Sequence, residues 1–255
     1  MSEAVAPRSE DTLLGGRVRL TQPVAGYRVA IDPVLLAAAV PAQPGETVLD
    51  IGCGTGAAAL CLATRVPQIR VAGIEREREL VRIANDNAML NELSGRVGVM
   101  AGDLLRPPPR LEPGTFAQVM ANPPFLDPGR GTLPADPAKA RAQWEGEADL
   151  ATWVRFALAM VRMKGTLTFI HRADRLDQLL AQLTGRAGEI VIFPLWPTAG
   201  RAARRVIVRA RKGLGSPCRI LPGLVLHAAD GRITPAAEAV LRDGAALDLD
   251  GSPEP

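Results

Sequence analysis

The stretch that decides the fold runs Thr47-Val48-Leu49-Asp50-Ile51-Gly52-Cys53-Gly54-Thr55-Gly56. Its first five residues form an apolar run that ends in an acid and gives way to glycines, the pattern of a short strand buried on both faces. Ala- and Leu-rich sequence from Ala57 to Thr64 then suits a helix packed closely on a sheet. The same alternation continues outward. RVAGIE (70–75) reads as a second strand, and a charged helix with apolar Leu80, Val81, Ala84 and Ala88 runs on to Asn91. RVGVMAGD (96–103) and FAQVMANPP (116–124) read as a third and a fourth strand. Residues 150–163 read as an amphipathic helix with Met160 and Met163 on its core face, and TLTFIHR (166–172) as a fifth strand. EIVIFPLW (189–196) and RRVIVRAR (204–211) are joined by residues 197–203 alone, too few for a crossover helix, so the two are antiparallel. The whole specifies an α/β fold: a doubly wound, mostly parallel, seven-stranded sheet with a C-terminal antiparallel strand.

Composition narrows the class. The chain of 255 residues is 47% hydrophobic and 22% charged, which is globular, and a single domain of this size is ordinary for α/β architecture. No apolar run approaches the ~20 residues that span a bilayer. The opening MSEAVAPRSEDT lacks the order of a signal peptide. Cys53, Cys61 and Cys218 are odd in number and scattered, so neither a disulfide framework nor a metal site is expected. Membrane, secreted and disordered classes are thereby excluded, and a cytoplasmic protein is expected. Residues 1–11 read as a disordered leader, 12–247 as one domain, and 248–255 as a flexible tail. A net charge of +3 decides little about partners. His171 and His227 stand near no Ser or Cys that suggests a relay, and both read as structural.

Three strand ends carry acids or glycines in an order that suits a nucleoside. Glycine lacks a Cβ, so Gly52, Gly54 and Gly56 let the chain turn sharply and let a ligand approach the backbone. The helix behind them offers free N–H groups to an anionic group. Glu75 ends the second strand, where an acid can accept hydrogen bonds from both ribose hydroxyls. Asp103, in Gly102-Asp103-Leu104, ends the third, where a carboxylate can meet an adenine amine. The spacing G-x-G-x-G differs from the G-x-G-x-x-G of dinucleotide enzymes, which counts against a nicotinamide-dependent reductase.

At the end of the fourth strand stands Asn122-Pro123-Pro124-Phe125. Two prolines remove two backbone donors and stiffen the chain into an elbow. It presents two acceptors, the Asn122 side-chain oxygen and the Pro123 carbonyl. An amine conjugated to a ring is a poor nucleophile, and acceptors gripping its N–H hydrogens favour the pyramidal nitrogen that attacks a methyl group. Phe125 offers a flat face on which a flipped base could stack.

VLDIGCGTG followed by Glu75 and Gly102-Asp103-Leu104 resembles the class I S-adenosylmethionine-dependent methyltransferases, over roughly residues 12–247. The resemblance implies a Rossmann-like methyltransferase sheet with S-adenosyl-L-methionine as cofactor. It places Asp50, Gly52, Gly54 and Gly56 on the methionine part, Glu75 on the ribose and Asp103 on the adenine. Asp32, Leu104 and Asn122 complete the implied lining, and Cys53 reads as a small filler in the loop, not a nucleophile. The tetrad Asn122, Pro123, Pro124, Phe125 resembles the signature of amino-methyltransferases acting on adenine N6, guanine N2 or protein glutamine. It names a planar conjugated nitrogen and leaves the polymer open.

GGRVRLTQPVAGYRVAIDPVLLAAAV (15–40) resembles the opening of the bacterial tRNA adenine-N6 methyltransferases that modify position 37 of a valine tRNA. That resemblance implies a hairpin and helix over 12–45 flanking the cofactor pocket, with Gly26, and with Asp32 ahead of Leu35-Leu36-Ala37. Enterobacterial members tend to carry Tyr where Phe125 stands, so stacking is kept and a hydroxyl lost. Residues 218–247 resemble the end of the same family, as a hairpin around Asp230-Gly231 and a helix capped at Thr234-Pro235. The expectation is therefore adenine-N6 methylation of tRNA. Guanine-N2 methylation of rRNA is disfavoured by the lack of a duplicated N-terminal domain. Glutamine methylation of a release factor is disfavoured by the short stretch before Thr47. A non-catalytic RNA-binding relic would have no chemical reason to keep the elbow.

Residues 190–229 hold no Asp or Glu, but hold Arg201, Arg204, Arg205, Arg209, Arg211, Lys212 and Arg219. Two readings stay open: phosphate contacts, or a charged strand face, since Arg205, Arg209 and Arg211 share one side at period two. Residues 127–147 form a long connection rich in Pro, Gly and charge, of the kind that serves as a lid or binding loop or else is disordered, with Arg130, Lys139, Arg141 and Trp144 as candidate substrate contacts.

Overall fold

The computed structural model describes residues 7–24, 29–125, 148–215 and 217–251. Strands β1 (Arg8–Leu13) and β2 (Val18–Pro23) form an antiparallel hairpin, followed by helix α1 (Asp32–Ala39), which is buried throughout. The alternation read from sequence then appears as β3 (Thr47–Ile51), α2 (Ala57–Arg65), β4 (Arg70–Glu75), α3 (Arg78–Leu90), β5 (Val97–Ala101) and β6 (Phe116–Ala121). The second half holds α4 (Leu150–Met160), β7 (Val161–Arg172), α5 (Leu176–Leu183), β8 (Ala187–Thr198) and β9 (Arg205–Lys212). Short strands β10 (Arg219–Ile220) and β11 (Leu224–His227) precede α6 (Pro235–Leu241), which Thr234 caps.

Among the described residues seven strands form the body of the sheet, in the order β8-β9-β7-β6-β3-β4-β5, and of these only β9 runs against its neighbours. Period-two alternation splits the core: Val48 packs into one apolar layer with α1, α2 and α6, while Leu49 and Ile51 face a second layer with α4 and α5. Parallel strands put their carboxyl ends on one edge, where ligands of such sheets bind. Asp50, Glu75, Asn122 and His171 all lie at or just past those ends.

Four expectations need correction. The sheet has nine strands among the described residues, not seven, because β10 and β11 each pair in parallel with the edge strand β8. Pro222 interrupts the segment, and two short pieces on β8 cover an edge that would otherwise offer bare backbone groups. The turn at Asp230-Gly231 survives, closed by the Ala228–Arg232 hydrogen bond at 2.8 Å. The expected leader already contains the start of β1, tied down by Arg8 to Asp86 of α3 at 3.0 Å. The expected tail is anchored as far as Asp250. Leu249 is fully buried, the Asp250 carboxylate takes Arg209, and Arg219 reaches the Asp250 carbonyl at 3.0 Å. Met163 is 65% exposed, not a core position, because α4 stops at Met160. The chain enters β7 there and bulges between Val161 and Thr166, through Lys164 at φ +61°.

Candidate active site at the carboxyl edge of the sheet

The loop after β3 turns back on itself through backbone bonds. Gly52 and Cys53 donate to the Ile74 carbonyl at 2.8 and 3.2 Å, and Gly56 donates to Cys53 at 2.9 Å. Gly52 has two reasons to be glycine. Its φ is +65°, and a Cβ there would lie 2.3 Å from the Trp153 ring. Cys53 Sγ fills the space over Gly73, where a Cβ would come within 2.7 Å of it. Burial, then the charges of Asp50 and Glu75, push its thiol up, so it stays protonated and inert.

The acids take distinct environments. One Glu75 oxygen accepts the Gly54 N–H at 3.0 Å and the other the Glu77 N–H at 2.9 Å, so the carboxylate braces the glycine loop from β4. Burial raises its pKa while those bonds oppose the rise. Asp50 is buried, and its Oδ2 has no partner among the described residues. Burial pushes its carboxyl up to about 8, with the Glu75 charge adding to the effect. Asp103 accepts the Leu105 N–H at 2.9 Å in a short turn bridged to Arg106, and Leu104 packs on the second apolar layer.

The elbow follows β6 directly. Pro123 is buried, and the Asn122 side-chain oxygen is buried without a partner among the described residues. Phe125 is held from three sides. The Arg205 guanidinium lies 4.4 Å from the ring centroid, His171 sits 5.6 Å away at 45°, and Arg175 donates to the Phe125 carbonyl at 3.4 Å. Arg205 Nε in turn donates to Asp32 at 3.0 Å. His171 is fully buried and stays neutral. Burial lowers its pKa to about 4, helped by the charges of Arg175, Arg205 and Arg172.

Asp50, Gly52, Cys53, Gly54, Gly56 and Glu75 thus form one cluster, and Asn122, Pro123, Pro124 and Phe125 sit at the next strand end. Asp32 reaches the elbow through Arg205. Gly26, Arg130, Lys139, Arg141 and Trp144 lie outside the described residues. Sequence reading missed His171 as a wall of the site, although its place at the end of the fifth strand was a usable signal. Nothing local pointed to the pairing of Asp32 with Arg205, which are 173 positions apart. Among the described residues no group of three His, Cys, Asp or Glu could hold a metal ion, and no helix is long and apolar enough to cross a membrane.

Sheet order, reversed ninth strand and glycine loop define the class: the chain has the fold of the class I methyltransferases. Within that class, residues 28–134 match the family model of the methyltransferase small domain. A Porphyromonas gingivalis protein named tRNA1(Val) (adenine(37)-N6)-methyltransferase is 34% identical over 64% of this chain and 66% of its own length. An Aeromonas hydrophila protein of the same name is 28% identical over 80% of this chain and 84% of its own. Among solved structures, an Agrobacterium tumefaciens protein described as a predicted O-methyltransferase superposes with a TM-score of 0.70 at 25% identity. That match covers 85% of this chain and 98% of the other.

Proposed function

We propose that this methyltransferase uses S-adenosyl-L-methionine to methylate N6 of an adenine in tRNA, in the cytoplasm. The observation that carries the reading is a pair of orphaned buried acceptors on neighbouring strand ends: Asp50 Oδ2 and Asn122 Oδ1. Buried polar atoms without partners are uncommon in native folds and point to a missing donor. The relatives' names support the choice of adenine and tRNA.

S-adenosylmethionine, when bound, supplies an electrophilic methyl group on a cationic sulfur. Asp50 offers that charged ligand an acceptor at the base of the glycine loop. Glu75 has a lone pair left on each oxygen after bracing Gly54 and Glu77, which suits the two ribose hydroxyls. Asp103 keeps one oxygen for the adenine amine. On the substrate side, the Asn122 oxygen and the Pro123 carbonyl accept the N–H hydrogens of the target amine and favour its pyramidal form. Phe125, backed by Arg205 and neutral His171, serves as the stacking face.

The decisive experiment offers the purified protein and labelled S-adenosylmethionine, in separate tubes, unmodified tRNA, rRNA, DNA and a release factor. N6-methyladenosine in tRNA is expected. Label in guanine or in protein glutamine overturns the substrate, and no label in any tube overturns the reading as a whole.

Asp50 adds a pH dependence. Its carboxyl, at about 8, is mostly protonated near neutral pH, and a cationic ligand favours the ionised form. Cofactor binding should therefore release a proton, and affinity should rise with pH until it flattens above about 8. Calorimetry in two buffers of different ionisation enthalpy measures the proton directly. Asp50→Asn should abolish it, and proton uptake on binding would contradict the assignment.

A further inference from the structure

The acid-free segment 190–229 separates in the structure into two groups of cations. Five are engaged within the fold. Arg205 binds Asp32, Arg209 binds the Leu249 carbonyl at 3.0 Å and the Asp250 carboxylate, and Arg211 binds Glu189 and the Lys164 carbonyl at 3.0 and 3.1 Å. Lys212 reaches the Val161 carbonyl at 2.9 Å and Arg219 the Asp250 carbonyl at 3.0 Å. The period-two face Arg205, Arg209, Arg211 is therefore structural. Arg201 and Arg204 differ: both are exposed, and neither side chain has an acceptor among the described residues.

These two arginines line a hollow of about 620 Å³ in the turn from β8 to β9, with Pro197, Thr198, Ala202 and Ala203 as its small remaining walls. The turn lies on the same edge of the sheet as the elbow. Arg172 at the end of β7 pairs in register with Arg205, and the Ala173 N–H donates to the Arg204 carbonyl at 3.2 Å. Arg204 is thus the immediate chain neighbour of the residue whose guanidinium covers Phe125. The floor is fixed from below, since β11 pairs with β8 through Thr198 and His227 lies 3.2 Å from the Pro197 carbonyl. A shallow, small-walled hollow with two free guanidinium groups suits phosphodiesters, which planar Arg forks bind in pairs of hydrogen bonds.

We infer that the β8–β9 hollow docks the RNA backbone flanking the target nucleotide, with Arg201 and Arg204 each holding a phosphate while Phe125 takes the base. This rests on the tRNA reading above and assigns the surface that would orient that substrate. Contacts of this kind give affinity and position without reading sequence.

The test measures tRNA binding by the full chain as a function of salt. R201A/R204A is compared with R186A/K164A, which removes the same charge from the opposite edge of the sheet. At ~0.1 M salt R201A/R204A should bind roughly tenfold or more weakly, and its slope of log affinity against log salt should be shallower by about 1.4–1.8, the loss of two phosphate contacts. R186A/K164A should match wild type in both. S-adenosylmethionine affinity should stay within about twofold of wild type in R201A/R204A, and the loss of methylation should appear chiefly as a raised KM for tRNA, the pattern of lost substrate binding. Equal tRNA binding by wild type and R201A/R204A would overturn the inference. Loss of release-factor binding in place of tRNA binding would also overturn it, by making the hollow a protein-docking surface. Wild type that binds no tRNA at all is a separate result, and it would overturn the tRNA reading itself.

Discussion

Asn122→Ala should cut turnover by roughly 10²-fold or more, the scale of losing one transition-state hydrogen-bond partner, while cofactor affinity changes little. The Asn122 oxygen is buried at the end of β6 with no partner among the described residues, so removing it breaks no bond of the resting fold. Its acceptor gains value only as positive charge develops on the attacking nitrogen. Turnover and kcat/KM should accordingly fall together, the pattern of an interaction made only in the transition state. Asn122→Asp sharpens the test, because it keeps an acceptor oxygen but adds a charge close to Asp50. It should retain more activity than the Ala variant if geometry dominates. Full activity in Asn122→Ala would remove the elbow from the chemistry. A matching loss of cofactor affinity would instead move Asn122 to the cofactor side.

Signals that are local in sequence reappear in the fold. The run from Thr47 to Gly56 announces a buried strand, a tight turn and a close-packed helix within ten positions, and β4 from Arg70 to Glu75 matches its expected bounds. The orphaned acceptors lie on residues that the spacing had already singled out. Readings failed where tertiary contact overrode local pattern. Leu249 looked like part of a polar tail, but the apolar layer under α1 and α6 takes it in completely. Met163 continued a helical stripe in sequence, but the bulge in β7 turned it outward. Arg205 was one of several arginines on a strand, and no local pattern marks it as the link between Asp32 and Phe125. Such links are long-range by nature, and a single sequence carries them only through the fold.

Glu75→Ala should raise the dissociation constant for S-adenosylmethionine by about 10²-fold. Hydrogen bonds to a charged acceptor contribute ~1.5 kcal/mol or more each, and two ribose hydroxyls would be lost together, each worth about tenfold. The carboxylate has a second duty, since it accepts the Gly54 and Glu77 N–H groups and holds the glycine loop in shape. Thermal unfolding without ligand separates the two duties. Burial disfavours the Glu75 charge, so removing it relieves a desolvation cost while the loop loses its brace, and these opposing effects should leave stability little changed. Glu75→Gln keeps one acceptor for the loop and should fall between Ala and wild type in affinity. A ligand analogue lacking both ribose hydroxyls completes the argument. Wild type should bind it about as weakly as Glu75→Ala binds the natural cofactor, and Glu75→Ala should scarcely distinguish the two ligands. If that variant still preferred the ligand with hydroxyls by about 10²-fold, the ribose would be held elsewhere and Glu75 would be the brace of the loop alone.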